Sequence, residues 1–246
     1  PSVIPCCGDD PMIVLFKPSL YISFFSYPPY TNFSRGRCLT HIGTEGAKCG
    51  ARVVAIDISD SFIKYAKQSE KQEPLGIDYK VASAVELPFD AFKFDFAVGL
   101  MSFMDIPEID RVLAEAYRVL KPGGFLQFSI EHPCFATPHR RNLRNQEGLA
   151  YAVEVGDYFR NLQGEISEWI FGAAPPEMRE GLRRFKTPRF TRTVSQWMNL
   201  IIKTGFVLEM IEEPYPSNET VLKCPEMQDA QVVAYFLHIR SRKPKV

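Results

Sequence analysis

From Gly50 onward, short apolar runs alternate with amphipathic stretches. The clearest unit is Gly-Ala-Arg-Val-Val-Ala-Ile-Asp-Ile-Ser, where apolar residues 53–56 stop at Asp57. A run this short with turn residues at both ends predicts a buried parallel strand. Ser59 or Asp60 can then cap a helix whose inner stripe is Phe62, Tyr65 and Ala66. Residues 77–81 alternate as a strand, 83–89 read as a loop, and 94–98 form another strand, left by Gly99, Leu100 and Met101. Ile109, Val112, Leu113, Ala116 and Leu120 fall at helical spacing. Lys121-Pro122-Gly123-Gly124 stops that helix, and residues 125–130 are the next strand.

Three stretches break this rhythm. Residues 1–32 are rich in Pro, Tyr, Phe and Ser; only 13–16 and 20–25 within them read as short strands. Gly36, Gly43, Gly46 and Gly50 punctuate residues 33–49 and predict a poor helix there. Residues 131–190 lose the alternation and mix prolines and charges with aromatics such as Tyr151, Tyr158 and Trp169. A stretch so long predicts a lid or substrate-binding insertion, or a surface excursion packed by its own aromatics. The rhythm then resumes. Thr193 and Gln196 have capping-box spacing, Trp197, Leu200 and Ile201 point inward, and Gly205 closes the helix. Strands at 206–211 and 232–239, joined by a polar loop of about twenty residues without a helical crossover, predict an antiparallel final pair.

The expected fold is therefore α/β: a doubly wound, mostly parallel sheet with an antiparallel strand near the C-terminus and an insertion after the fifth strand. The expected organisation is an atypical segment at 1–32 and one domain over 33–246, with 131–190 as its substrate-side insertion. The length of 246 residues suits one such domain with an elaboration. Acidic and basic residues balance at 29 each, so nothing calls for nucleic acid or an anionic membrane. Residues 12–27 are apolar, but Lys17 and Pro18 interrupt them and the run is too short to span a bilayer. Six scattered cysteines and four histidines show no zinc spacing, which predicts reduced thiols in a cytoplasmic protein, with organellar import also compatible. The chain begins at Pro1 rather than Met, as expected of a processed product, a fragment or an incomplete gene model.

Chemistry enters at Asp57. In a doubly wound sheet, ligands sit outside the carboxyl ends of the strands. An acid there can accept hydrogen bonds from both hydroxyls of a ribose; the plainer alternative is a turn or helix-capping residue.

Four motifs in order, "ARVVAIDIS", "SAVELPF", "FDFAVGLMSFMDIPE" and "RVLKPGGFLQFSI", resemble a class I S-adenosylmethionine-dependent methyltransferase of a small-molecule branch. The resemblance runs from about Gly50 to Lys243. It implies S-adenosylmethionine as cofactor and a small-molecule methyl acceptor. Asp57 and Ile58 would lie at ribose and adenine, Ser83 and Ala84 at the adenine edge, and Gly99, Leu100 and Met101 near the methionyl part. Ser83 stands where the family usually carries Asp, and can still hydrogen-bond, without charge. The sulfonium already activates the methyl group, so the protein mainly holds the reactants in line. A base is optional. His132 and Asp105 are the candidates by position, and a turn histidine bonded to backbone is the alternative for His132. Tyr151, Tyr158 and Trp169 are candidates for the acceptor pocket, or for packing of the insertion. Cys134 reads as a small buried apolar residue.

The family's glycine-rich loop has no match before Gly50; Arg37-Cys38-Leu39-Thr40 follow Gly36 where glycines are needed. That predicts weak cofactor binding by this chain, because glycines let the backbone approach the ligand. Two other readings stay open: a methyltransferase-like module without catalysis, and a nicotinamide-dependent oxidoreductase, whose GxGxxG loop is also absent.

Overall fold

A computed structural model describes residues 11–15, 38–169 and 185–245. Seven strands make the main sheet: β1 (Pro11–Leu15), β2 (Arg52–Asp57), β3 (Asp78–Val81), β4 (Phe94–Leu100), β5 (Leu120–Glu131), β10 (Val207–Glu212) and β11 (Phe236–Arg242). Their order is β10-β11-β5-β4-β1-β2-β3. All neighbouring pairs from β3 to β5 are parallel, and β11 runs antiparallel to both β5 and β10. This is the doubly wound, mostly parallel sheet with one antiparallel strand near the C-terminus that the sequence pattern predicts.

Of the two candidates for the first strand, the run around Ile13 is the one used. Leu15 pairs with Ile56 on one side and Gly99 on the other. The other candidate, 20–25, lies outside the described residues.

Helix α1 (Cys38–Lys48) corrects the expectation of a poor helix over 33–49. Its glycines face the sheet. A Cβ on Gly46 would come within 2.9 Å of Met12 Sδ, so glycine lets the helix lie close over β1. The same helix takes Cys38, Leu39 and Thr40 out of the loop position expected for them. The slot for the glycine-rich loop, 16–37, is outside the described residues.

Helix α2 (Asp60–Gln72) is capped by Ser59, whose Oγ accepts from Phe62 N. That phase buries Ile63 and Ala66; Phe62 is half-buried and Tyr65 is 38% exposed, which corrects the stripe expected of them. Helix α3 (Ile109–Val119) buries Ile109, Val112, Leu113 and Ala116 of the predicted stripe; Leu120 instead begins β5, which takes in the Lys-Pro-Gly-Gly stretch expected as a turn, because Pro122 pushes the chain into extended backbone. Helix α4 (Val194–Thr204) has the predicted capping box, and Gly205 closes it in the left-handed conformation. Trp197 and Ile201 are buried, with Leu200 only partly so.

Side chains alternate between two cores. Met12, Val14, Val53, Ala55, Phe96 and Val98 pack with Ile63 and Ala66 of α2. Ile13, Leu15, Ile56, Ala97, Leu126 and Phe128 pack under α3 and α4.

The region after β5 is not irregular. Two hairpins stand there, β6 (His139–Arg144) with β7 (Ala150–Gly156), and β8 (Gln163–Trp169) with β9 (Phe185–Phe190). Pro188 is tolerated because these are two-stranded ribbons with free edges. The connection before β11 likewise contains α5 (Asn218–Lys223) and a 3-10 turn, Pro225–Gln231, so the final strand starts later than expected.

Gly99 shows how tightly the carboxyl edge is packed. A Cβ there would sit 2.5 Å from Phe103 Cε1, and Phe103 is fully buried and stacked on Phe128. Gly99→Ala is expected to destabilise the fold by about 1–3 kcal/mol through overpacking. Phe103→Leu in the same background should restore part of the loss in urea unfolding.

Candidate functional site

The strand order reverses between β1 and β4, and the candidate residues gather at the carboxyl ends around that point. Asp57 ends β2 and is fully buried. Its Oδ1 accepts from Ser59 N at 2.7 Å. Its Oδ2 is buried and finds no hydrogen-bond partner among the described residues. Helix capping is done by Ser59, so Asp57 is not the cap. Burial pushes its carboxyl up to about 6, and the Ser59 amide opposes this only in part.

Ser83 and Ala84 are brought beside Asp57 by the backbone, since Ala82 N donates to Asp57 O at 3.0 Å. Ala84 is buried and Ser83 half-buried, its Oγ accepting from Val85 N. Residues after Ser83 are tied down by α3. Leu87 N donates to Glu115 Oε2, and Arg118 donates to Leu87 O and Phe89 O. Ile58 is 54% exposed just past Asp57.

On the other side of the reversal, Leu100 is half-buried and Met101 is buried. Met101 has φ 47, a left-handed conformation rare for a side chain of its kind. Ser129 holds it there, its backbone carbonyl accepting from Met101 N at 3.0 Å. Ser102 Oγ donates to Leu15 O, linking this turn to the end of β1. Gly99 is accounted for by the packing of Phe103.

Beyond Met101 a cavity of about 340 Å³ opens between the carboxyl ends of β4 and β5 and the β8–β9 hairpin. Met104 and Asp105 line it from a 3-10 turn, Phe103–Asp105. Asp105 is 4% exposed. Tyr158 lines it too, while its hydroxyl accepts from Val194 N at the start of α4. Tyr151 is 64% exposed and not among the lining residues. Trp169 ends β8, and its side chain is outside the described residues.

His132 is buried beside the cavity, between its lining residues Glu131 and Pro133. Its Nδ1 accepts from Cys134 N and its Nε2 lies 2.7 Å from Glu213 Oε1. With Nδ1 accepting, the ring proton is on Nε2 and is donated to Glu213. Both nitrogens are thus engaged within the chain. Cys134 is half-buried.

Sequence reading missed the arginines. Arg140, Arg189 and Arg192 all line the cavity, with Trp197. Arg192 lies over the Trp197 ring at 5.4 Å and donates through Nη2 to Ile106 O and Pro107 O. The available signal was the pair Arg189 and Arg192 just ahead of the capping box, in a stretch otherwise read only as charged.

Residues 35–128 match the family model described as "Methyltransferase domain". A Homo sapiens protein, "2-methoxy-6-polyprenyl-1,4-benzoquinol methylase, mitochondrial", is 40% identical over 77 residues, 30% of this chain and 24% of that protein. A Coxiella burnetii "Ubiquinone biosynthesis O-methyltransferase" is 30% identical over 116 residues, 47% of this chain and 45% of that one. The chain thus spans less than half the length of these curated relatives. An S-adenosylmethionine dependent methyltransferase from Mesorhizobium loti superposes with a TM-score of 0.70 at 20% identity, over 98% of this chain and 94% of that one. A similar structure from Listeria monocytogenes gives 0.69 at 21% identity, over 98% and 93%. Residues 35–128 are thus similar to a methyltransferase domain, and the chain has the fold of these S-adenosylmethionine dependent methyltransferase structures.

Burial of Asp57 has a pH signature. The folded carboxyl titrates near 6 against an ordinary value of 3.8, so the folded state binds the proton more tightly than the unfolded chain. Stability from this group is therefore greatest below 3.8 and falls as pH rises through 6. Asp57→Asn removes that dependence. Between pH 4.5 and 7.5 the stability difference is expected to move by about 2 kcal/mol in favour of the variant. Urea unfolding of both proteins at the two pH values measures it, and an unchanged difference would mean that Asp57 ionises at no cost.

Proposed function

We propose that this chain is an S-adenosylmethionine-dependent methyltransferase acting on a small molecule. The observation that carries the proposal is the buried Asp57 Oδ2, an acceptor without a partner at the carboxyl end of β2. A buried polar atom left unpaired costs free energy, and a ribose hydroxyl is the donor that suits this place in the fold. Ser83 and Ala84 stand next to it for the adenine edge, and Leu100 and Met101 across the strand reversal for the methionyl part. The cofactor supplies a methyl group activated by its sulfonium.

The chain's own residues do the rest. Asp57 fixes the ribose by accepting hydrogen bonds. The turn at Met101 and Ser102 leads from the end of β4 into the 3-10 turn that lines the cavity, so residues of one continuous segment would hold cofactor and acceptor near each other. Asp105 lines the cavity and is placed to take a proton from an acceptor hydroxyl or amine. His132, with both nitrogens engaged, is a positioning residue that holds the cavity wall at Glu131 and Pro133. Tyr158 contributes an apolar ring to the same wall. The relatives named as a benzoquinol methylase and a ubiquinone biosynthesis O-methyltransferase support a small-molecule acceptor.

A non-catalytic module is the competing reading, because the family's glycine-rich loop has no match in the sequence ahead of Gly50. Calorimetric titration of S-adenosylmethionine separates the two. Micromolar binding is expected if the Asp57 edge suffices, and no binding at millimolar cofactor selects the non-catalytic module. In a chain that binds, Asp57→Ala should weaken affinity by about 1.5–3 kcal/mol and Ser83→Ala by about 0.5–1.5 kcal/mol. Equal affinity of parent and Asp57→Ala would remove the ribose role.

A further inference from the structure

The cavity is unbalanced in charge. Its lining residues include three guanidinium groups, Arg140, Arg189 and Arg192, against two carboxylates, Asp105 and Glu131. Two of the arginines have outlets. Arg140 lies over the Tyr235 ring at 4.3 Å and is exposed to solvent. Arg189 donates to Ala136 O at 2.8 Å and lies 3.8 Å from Glu131 Oε2.

Arg192 is different. Its Nη2 is spent on two backbone carbonyls, which orient it without neutralising it. Its Nη1 is buried and has no hydrogen-bond partner among the described residues. No ion pair within 4 Å involves it among those residues either. Burial holds its guanidinium below the ordinary arginine range, with Asp110 opposing from a distance. A half-buried guanidinium lying over an indole ring, with one donor unused, is a site for an anionic oxygen. Part of the wall is suited to an apolar body, Trp197, Tyr158, Phe190 and Met104, beside the hydroxyl residues Thr137, Ser167, Thr187 and Thr191.

We infer that the cavity takes a small organic acid, its carboxylate on Arg192 and its apolar body against Trp197. The inference rests on the methyltransferase reading for calling that acid the methyl acceptor, but the acid site itself stands on the cavity alone. The carboxylate is an anchor that selects the acceptor; methyl transfer takes place elsewhere on the molecule. Neutral analogues leave the half-buried Arg192 charge and its spare donor unpaired and are rejected for that reason.

The test uses benzoate and its neutral counterpart benzamide as probes, titrated into the full chain without cofactor and read by calorimetry. Benzoate is expected to bind at least about tenfold more tightly, the difference between a charged and a neutral hydrogen bond. Arg192→Gln should abolish the preference, whereas Arg192→Lys, which keeps the charge, and Arg111→Gln, on the exposed side of α3, should retain it. Equal binding of the two probes to the parent chain, no binding of either, or a preference that survives in Arg192→Gln would each overturn the inference. The parent comparison holds even if a variant at 192 fails to fold. S-adenosylmethionine titrated into the same samples reads the other proposal separately. Benzoate preference without cofactor binding leaves the acid site and sinks the methyl-transfer reading; cofactor binding without benzoate preference does the reverse.

Discussion

The fold depends on the parallel pairing of one short strand on both sides. Met12, Ile13, Val14 and Leu15 are all within 1% of complete burial. Their backbone is paired to β2 by a ladder from Pro11 to Leu15, and to β4 from Met12 to Leu15. Without β1, the facing edges of β2 and β4 would hold unpaired amides and carbonyls in the interior. The two hydrophobic clusters would also lose their central layer, since Met12 and Val14 belong to one and Ile13 and Leu15 to the other. The reversal of strand order at β1 is what parts the carboxyl ends of β2 and β4 and makes room for a ligand there.

Around that opening, charges fall into two kinds. Glu115 and Arg118 are a matched pair: the guanidinium donates to both carboxylate oxygens and to the carbonyls of Leu87 and Phe89. The hydrogen bond from Arg118 lowers the Glu115 carboxyl. These ions satisfy one another and hold the loop after β3 in place. Asp57 is buried and Arg192 half-buried, each with one buried polar atom left over, and burial shifts each toward its neutral form. Such unpaired groups persist only when the surrounding structure holds them, and they are typical of binding sites. Met101, forced to positive φ between them in sequence, stores strain at the same edge.

Much of the scaffold was legible from periodicity. The strands β2 and β4, the core of β5, the helix stripe from Ile109 to Ala116 and the Thr193–Gln196 cap all follow local rules, and the structure keeps them, although Leu120 and the Lys-Pro-Gly-Gly stretch belong to β5. The hairpins were not legible, because their strands are solvated ribbons such as His139–Arg144, where charge replaces the usual alternation. Helix α1 was misjudged because helix propensity counts Gly43 and Gly46 as costs, whereas against Met12 and Val53 they permit close packing. The inner face of α2 was placed one residue out, since the phase is set by which residue caps the helix. The stretch behind the arginines read as loop because a buried guanidinium looks the same in sequence as a solvated one.

The sequence by itself determined the order of strands and helices from β2 to β5, the position of Asp57 at a strand end and the chemistry available there. These follow from residue type and spacing over a few turns of chain. Only the tertiary structure decided that Pro11–Leu15 fills the centre of the sheet, that His132 is held between Glu213 and the Cys134 amide, and that Arg192 keeps an unused donor beside Trp197. Each of those depends on a partner far away in the chain and on exclusion of water. Neither is encoded in local pattern, because desolvation is a property of the packed whole.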